Sequence, residues 1–194
     1  MAQKTSVVTP ERFSKGFTYA DWFAQIKVNK DRFQEWYDKC QVKKEDAEAL
    51  RKLVASRNGP TKVLAIAEDW CPDVIRGLPV MVRIAEASGL ELKVFPRDLN
   101  LDIMSEFLNR GEFQSIPTFV FYTADHKYLG HWIERPALAN KEIPEINAAI
   151  DRELAGKSDE EKRPERRKRT DSRWPVWQQE SVKEILDLLS KSTR

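Results

Sequence analysis

The chain has 194 residues, 41% of them hydrophobic, enough for one ordinary domain with extensions or for two small ones. Lys and Arg outnumber Asp and Glu by only 33 to 31, so the net charge of +2 does not by itself argue for a nucleic-acid or membrane partner. Two cysteines, Cys40 and Cys71, exclude a disulfide framework. No apolar run reaches the ~18 residues of a membrane span, and residues 1–10 lack the apolar stretch of a signal peptide. A reducing, cytoplasmic setting is the simplest reading.

In chain order, residues 1–17 read as a polar lead-in, and residues 18–58 as a helical extension. Phe23, Ile26 and Val28 form an apolar cluster. Phe33, Trp36 and Tyr37 recur at helical spacing, with Asn29 or Lys30 as the start of that helix. Ala47, Leu50, Leu53 and Val54 form the stripe of a third helix, which Asn58-Gly59-Pro60 stops. Val63 to Ala67 is a short continuous apolar run, the pattern of a buried parallel strand. Trp70-Cys71-Pro72 follows, then a helix to about Ser88 that Gly89 ends. Next come a strand over 90–95, a helix over 102–108, and strands over 118–122 and 128–133 joined by Ala124-Asp125-His126. A helix over 143–154 closes the domain. Strand and helix alternate, which predicts a parallel sheet with a final antiparallel hairpin.

Composition shifts after residue 156. Lys162, Arg163, Arg166, Arg167, Lys168 and Arg169 fall within eight positions without an apolar break, so 157–173 reads as an exposed basic linker. Residues 174–194 then offer Trp174, Trp177 and an amphipathic helix carrying Val182, Ile185, Leu186 and Leu189, expected to dock on the domain or on a partner. The organisation is thus a helical extension (1–59), an α/β domain (60–156), a linker (157–173) and a tail (174–194).

Four features in order resemble the thioredoxin superfamily. Glu68-Asp69-Trp70-Cys71-Pro72 follows the first strand, and Pro79 lies eight residues after Cys71. Ser115-Ile116-Pro117-Thr118-Phe119 precedes a core strand, and one βα unit separates Cys71 from Pro117. The single-cysteine W-C-P-D segment and helical extension look closest to a poorly characterised bacterial branch. The resemblance covers about half of the chain. It implies a central mixed sheet flanked by helices, a cis peptide bond at Pro117 and a site around Cys71. The family's second cysteine would be position 74, here Val74. Its buried acid would lie near Ala65. The ordinary dithiol cycle is therefore absent.

Cys71 at the first turn of a helix is nevertheless placed where unpaired N–H groups favour a thiolate. Such a thiolate attacks a disulfide without a second cysteine on the chain and is resolved by an outside thiol. The leading expectation is a monothiol redox protein. Cys71 is its nucleophile, Trp70, Pro72 and Asp73 shape its site, and Ile116 and Pro117 contact the substrate backbone. Its partners would be a thiol- or disulfide-bearing protein or a low-molecular-weight thiol. Asp73 suits the helix terminus, yet its charge opposes a thiolate. A retained but inert thiol, in a non-catalytic binding module of the same fold, is the alternative. A nucleic-acid role for the basic run is a third reading, disfavoured by the near-neutral balance elsewhere. Cys40 could resolve Cys71 only if the extension brought the two Cα atoms within about 7 Å. His126 and His131 have no ligand-spaced neighbours, so neither metal nor cofactor is expected.

Overall fold

The computed structural model describes residues 6–193. Four short helices open the chain: α1 (Pro10–Ser14), α2 (Tyr19–Gln25), α3 (Lys30–Lys39) and α4 (Lys44–Val54). Each start has a local cause. Thr9 and Thr18 accept the amides of Arg12 and Asp21 and so cap α1 and α2. Asn29, left-handed at φ 59°, turns the chain into α3. The expected polar lead-in lies outside the described residues up to residue 5; from residue 6 on it contains α1, and Phe17 forms a β-bridge to Val94.

The α/β unit follows: β1 (Lys62–Ala67), α5 (Pro72–Ser88), β2 (Glu91–Pro96), a 3-10 turn at Arg97–Leu99, α6 (Leu101–Met104), β3 (Thr118–Tyr122), β4 (Tyr128–Ile133) and α7 (Ala137–Glu153). The sheet order is β2-β1-β3-β4. β1 is parallel to β2 through pairs such as Val63 with Leu92, and antiparallel to β3 through Val63 with Phe121. β3 and β4 form the antiparallel edge. The mixed, thioredoxin-like sheet expected from the family features is present. The all-parallel core suggested by strand–helix alternation is corrected, because β3 enters against β1 after a short helix and a loop instead of a full crossover helix.

β1 and β3 are central, so Val63 to Ala67 and Thr118 to Tyr122 are all buried. α5 is buried nearly all round, since it lies against β1 and β2 and also carries α3, α4 and α8. Its start at Pro72, its internal Pro79 and its left-handed Gly89 cap follow the expected punctuation. Two shifts in the middle of the chain are modest. The helix expected over 102–108 is only Leu101–Met104, and α7 begins six residues before Ile143, running through Pro144.

The larger correction concerns the C-terminus. Residues 157–173 are not a linker: from Asp159 onward they belong to α8 (Asp159–Ser192), one helix that continues through the tail. Ser158 and Glu161 form a capping box at its start. The basic residues are held by carboxylates that a reading of composition alone does not place. Lys162 and Arg166 reach Asp151, Arg169 reaches Glu153 and Glu165, and Arg173 forks onto Glu142. Asp151, Glu153 and Glu142 all belong to α7, so the two helices are laced together by charge. Further along, Trp174 and Trp177 are fully buried. Trp174 meets Trp36 edge-on at 6.4 Å, and the Trp177 indole donates to Glu142 at 2.7 Å. The tail therefore docks on its own domain.

Candidate functional site

The site forms where β1 hands over to α5. Asp69 anchors this turn to the extension, since its carboxylate accepts the amides of Lys27 and Val28 at 2.8 and 3.2 Å, and its carbonyl accepts the Asn29 side chain at 2.9 Å. Trp70 is half exposed, with the Arg97 guanidinium 5.0 Å from its ring centre. Cys71 is the N-cap of α5, and its carbonyl accepts the Ile75 amide at 3.0 Å. Pro72 is exposed at the first helical position, and Val74 is fully buried where a second cysteine would stand.

Ile116 and Pro117 face this turn across the sheet end, and the peptide bond between them is cis. The Cys71 thiol lies 3.6 Å from the Ile116 carbonyl and donates to it. The Pro117 carbonyl accepts the Glu134 amide at 2.7 Å. Gly77 brings α5 against this proline: a Cβ there would stand 3.0 Å from Pro117 Cγ. The structure thus brings Trp70, Cys71, Pro72, Asp73, Ile116 and Pro117 into one neighbourhood. It also closes the thiol in, for only 8% of Cys71 is exposed.

Burial is the main reason the Cys71 thiol is pushed above its ordinary value. The negative charges of Asp73 and Glu134 push it the same way, and the amides of Val74 and Asp73 at the helix terminus pull it down. Asp73 is itself raised by burial, against the opposing charges of Arg135 and Arg76. Arg135 lies 3.4 Å from Asp73 and also pairs with Glu134. The pull of the helix terminus is therefore outweighed by burial and the two carboxylates.

Cys40 is remote. It caps the far end of α3, beside Arg83 of α5, whereas Asn29 at the near end touches the Cys71 turn. The ten residues of α3 between Asn29 and Cys40 put the two caps roughly 16 Å apart in helix rise. Both cysteines are free, and burial pushes the Cys40 thiol up to about 11. His126 and His131 serve the hairpin, His126 contacting the Val8 carbonyl and His131 the Tyr128 hydroxyl.

Sequence reasoning missed Glu134 and Arg135 after β4, and Arg76 one turn into α5. Glu134-Arg135 stands directly before the proline that caps α7, but its proximity to Asp73 depends on a β3–β4 register that no local signal announces. The described helices contain no stretch long and apolar enough to cross a membrane.

The family profile Thioredoxin_9, described as thioredoxin, matches residues 16–150. The chain belongs to this thioredoxin family. The family match takes in α2 to α4 as well as the sheet, so all of the helical extension from residue 16 on lies within the family region. A protein of unknown function from Pseudomonas aeruginosa, PA1234, has a similar crystal structure. The TM-score is 0.66 at 15% identity, covering 93% of this chain and 95% of that one. An HIV epitope scaffold is similar at the same TM-score of 0.66, with 18% identity over 96% and 99% of the two chains. These likenesses establish the fold. Comparison with curated proteins gives no significant match.

Proposed function

We propose that this thioredoxin-family protein is a monothiol exchange protein acting through Cys71. The observation that carries the reading is the position of the Cys71 sulfur. It sits at the N-terminus of α5, against the carbonyl of the residue before a cis proline, with the half-exposed Trp70 as its chain neighbour. Trp70 and Pro72 wall the approach, Asp73 sets the charge beside the sulfur, and Ile116 and Pro117 offer backbone to an extended substrate.

The exchange needs no second cysteine. Cys71 loses its proton to solvent base, and the thiolate attacks one sulfur of a disulfide R–S–S–R. The old S–S bond breaks and RS⁻ leaves, so Cys71 is oxidised into a mixed disulfide and one R group is reduced. An external thiolate then attacks that mixed disulfide, which releases the Cys71 thiolate and forms a new disulfide. The Val74 and Asp73 amides stabilise the thiolate once it forms. Substrate entry requires the Cys71 thiol to leave the Ile116 carbonyl, which frees that acceptor for the substrate chain.

The test is turnover of a small disulfide in the presence of excess low-molecular-weight thiol. Activity above the uncatalysed rate that is lost in Cys71→Ala and kept in Cys40→Ala supports the reading. Equal rates for wild type and Cys71→Ala contradict it. A second reading, a non-catalytic binding module of the same fold, is favoured by the burial of Cys71 and the upward push on its thiol; it takes over if that turnover is absent.

A further inference from the structure

Beside Trp70 and Pro72, residues of α3, α5, α7 and α8 line a cleft of about 560 Å³. Its lining includes six arginines, Arg32, Arg76, Arg135, Arg163, Arg166 and Arg167, and a single acid, Asp73. Neighbouring carboxylates only partly offset this charge. Arg32, Arg76 and Arg167 all converge on Asp171, at 3.4, 2.9 and 3.6 Å. Three guanidiniums on one carboxylate leave an excess of positive charge at the cleft wall. Burial, reinforced by the charges of Arg167 and Arg76, lowers the affinity of Arg32 for its proton.

Of the other cations, Lys162, Arg169 and Arg173 are matched by Asp151, Glu153 and Glu142, and in the cleft Arg135 is matched by Asp73 and Glu134 and Arg166 by Asp151 and Asp159. The excess positive charge of the cleft is therefore that of Arg32, Arg76 and Arg167 around Asp171, and it faces a concavity of ligand size, whereas a polynucleotide would track charge along an extended face. Several guanidinium forks around one space suit a group with many acceptor oxygens.

We propose that this cleft is a binding site for a small ligand carrying adjacent phosphate groups, held by Arg163 and Arg167 at the rim and by Arg32 and Arg76 deeper in. The exposed face of Trp70 and the side chain of Ile143 line the same cleft and give an attached organic group an apolar surface. The cleft shares Trp70, Pro72 and Asp73 with the Cys71 site, but binding there requires no reaction at the sulfur.

The test is calorimetric titration of the full chain, at physiological salt, with pyrophosphate, with ADP and with adenosine. One site per chain is expected for pyrophosphate. Tighter binding of ADP assigns the ligand to a nucleotide, and equal binding assigns it to the phosphates alone. Arg163→Ala/Arg167→Ala is expected to weaken binding by about tenfold or more. Both residues are exposed, so an unchanged melting temperature without ligand verifies the fold. Lys183→Ala/Lys191→Ala removes the same charge from the distant end of α8 and is expected to leave affinity unchanged. Failure of pyrophosphate and ADP to bind at millimolar concentration overturns the proposal. So does adenosine binding as tightly as ADP, or an equal loss in the two double variants. Stronger binding of a single-stranded oligonucleotide than of pyrophosphate overturns it in favour of a nucleic-acid surface.

Discussion

At the residue scale, the balance at Cys71 sets two helix amides against burial and two carboxylates, Asp73 and Glu134. Removing the nearer charge should tilt that balance. Asp73→Asn is expected to lower the pH midpoint of Cys71 alkylation and to raise its rate at neutral pH; an unchanged midpoint would mean that Asp73 carries no charge there. In the wild type the midpoint should lie above the free-thiol value, because burial dominates. The sequence made Cys71, Asp73 and Pro117 legible, since each stands in a short segment with its own punctuation. It also named the conflict between Asp73 and a thiolate. It did not reveal the winner, because burial of the sulfur depends on Ile116, which lies 45 positions away in the chain. Arg135 was hidden for the same reason.

At the scale of elements, α5 and α8 decide whether the site holds together. Gly77 lets α5 approach Pro117, and Gly77→Ala places a Cβ 3.0 Å from its ring. Since the contact is made by stiff groups, a loss of about 1–3 kcal/mol in urea unfolding is expected. A neutral effect would show that α5 can shift. Trp174 and Trp177 seal α8 onto the domain, both at 1% exposure. Trp174→Ala should cost about 3–5 kcal/mol, near the high end for aromatic deletions. A loss under about 1 kcal/mol would mean that the tail is not docked in solution. The linker expectation failed at this scale. A basic run looks solvated when read alone, but its counter-charges lie one turn away on α8 or across on α7, as Arg169 with Glu165 and Glu153 shows. Helices α3, α4 and α5 were legible because their apolar stripes and caps are local. The antiparallel entry of β3 was not, because sheet order is a long-range property.

For the whole molecule, buried titratable groups give stability a maximum between acid and alkali. Burial raises Cys40 to about 11, and it also raises Cys71, Tyr19 and Tyr122. The folded state thus holds protons that the unfolded chain releases above the ordinary thiol range of about 8.5, so stability falls as pH rises through that range. The urea midpoint should be lower at pH 10 than at pH 7, and Cys40→Ala should flatten part of the fall. Burial lowers His126 and His131, so the unfolded chain binds more protons below about pH 6.5 and stability also declines there. A midpoint constant from pH 5 to pH 10 would contradict this distribution of buried groups.

The central claim is that Cys71 reacts from within the folded protein. Its most direct test is mass spectrometry of Cys40→Ala protein incubated with a small disulfide at mildly alkaline pH, with folding followed in parallel by tryptophan fluorescence. The account predicts one mixed-disulfide adduct on Cys71, formed while the protein stays native and removed by excess thiol. An adduct that forms only after denaturant is added would contradict it and leave the fold as a binding scaffold.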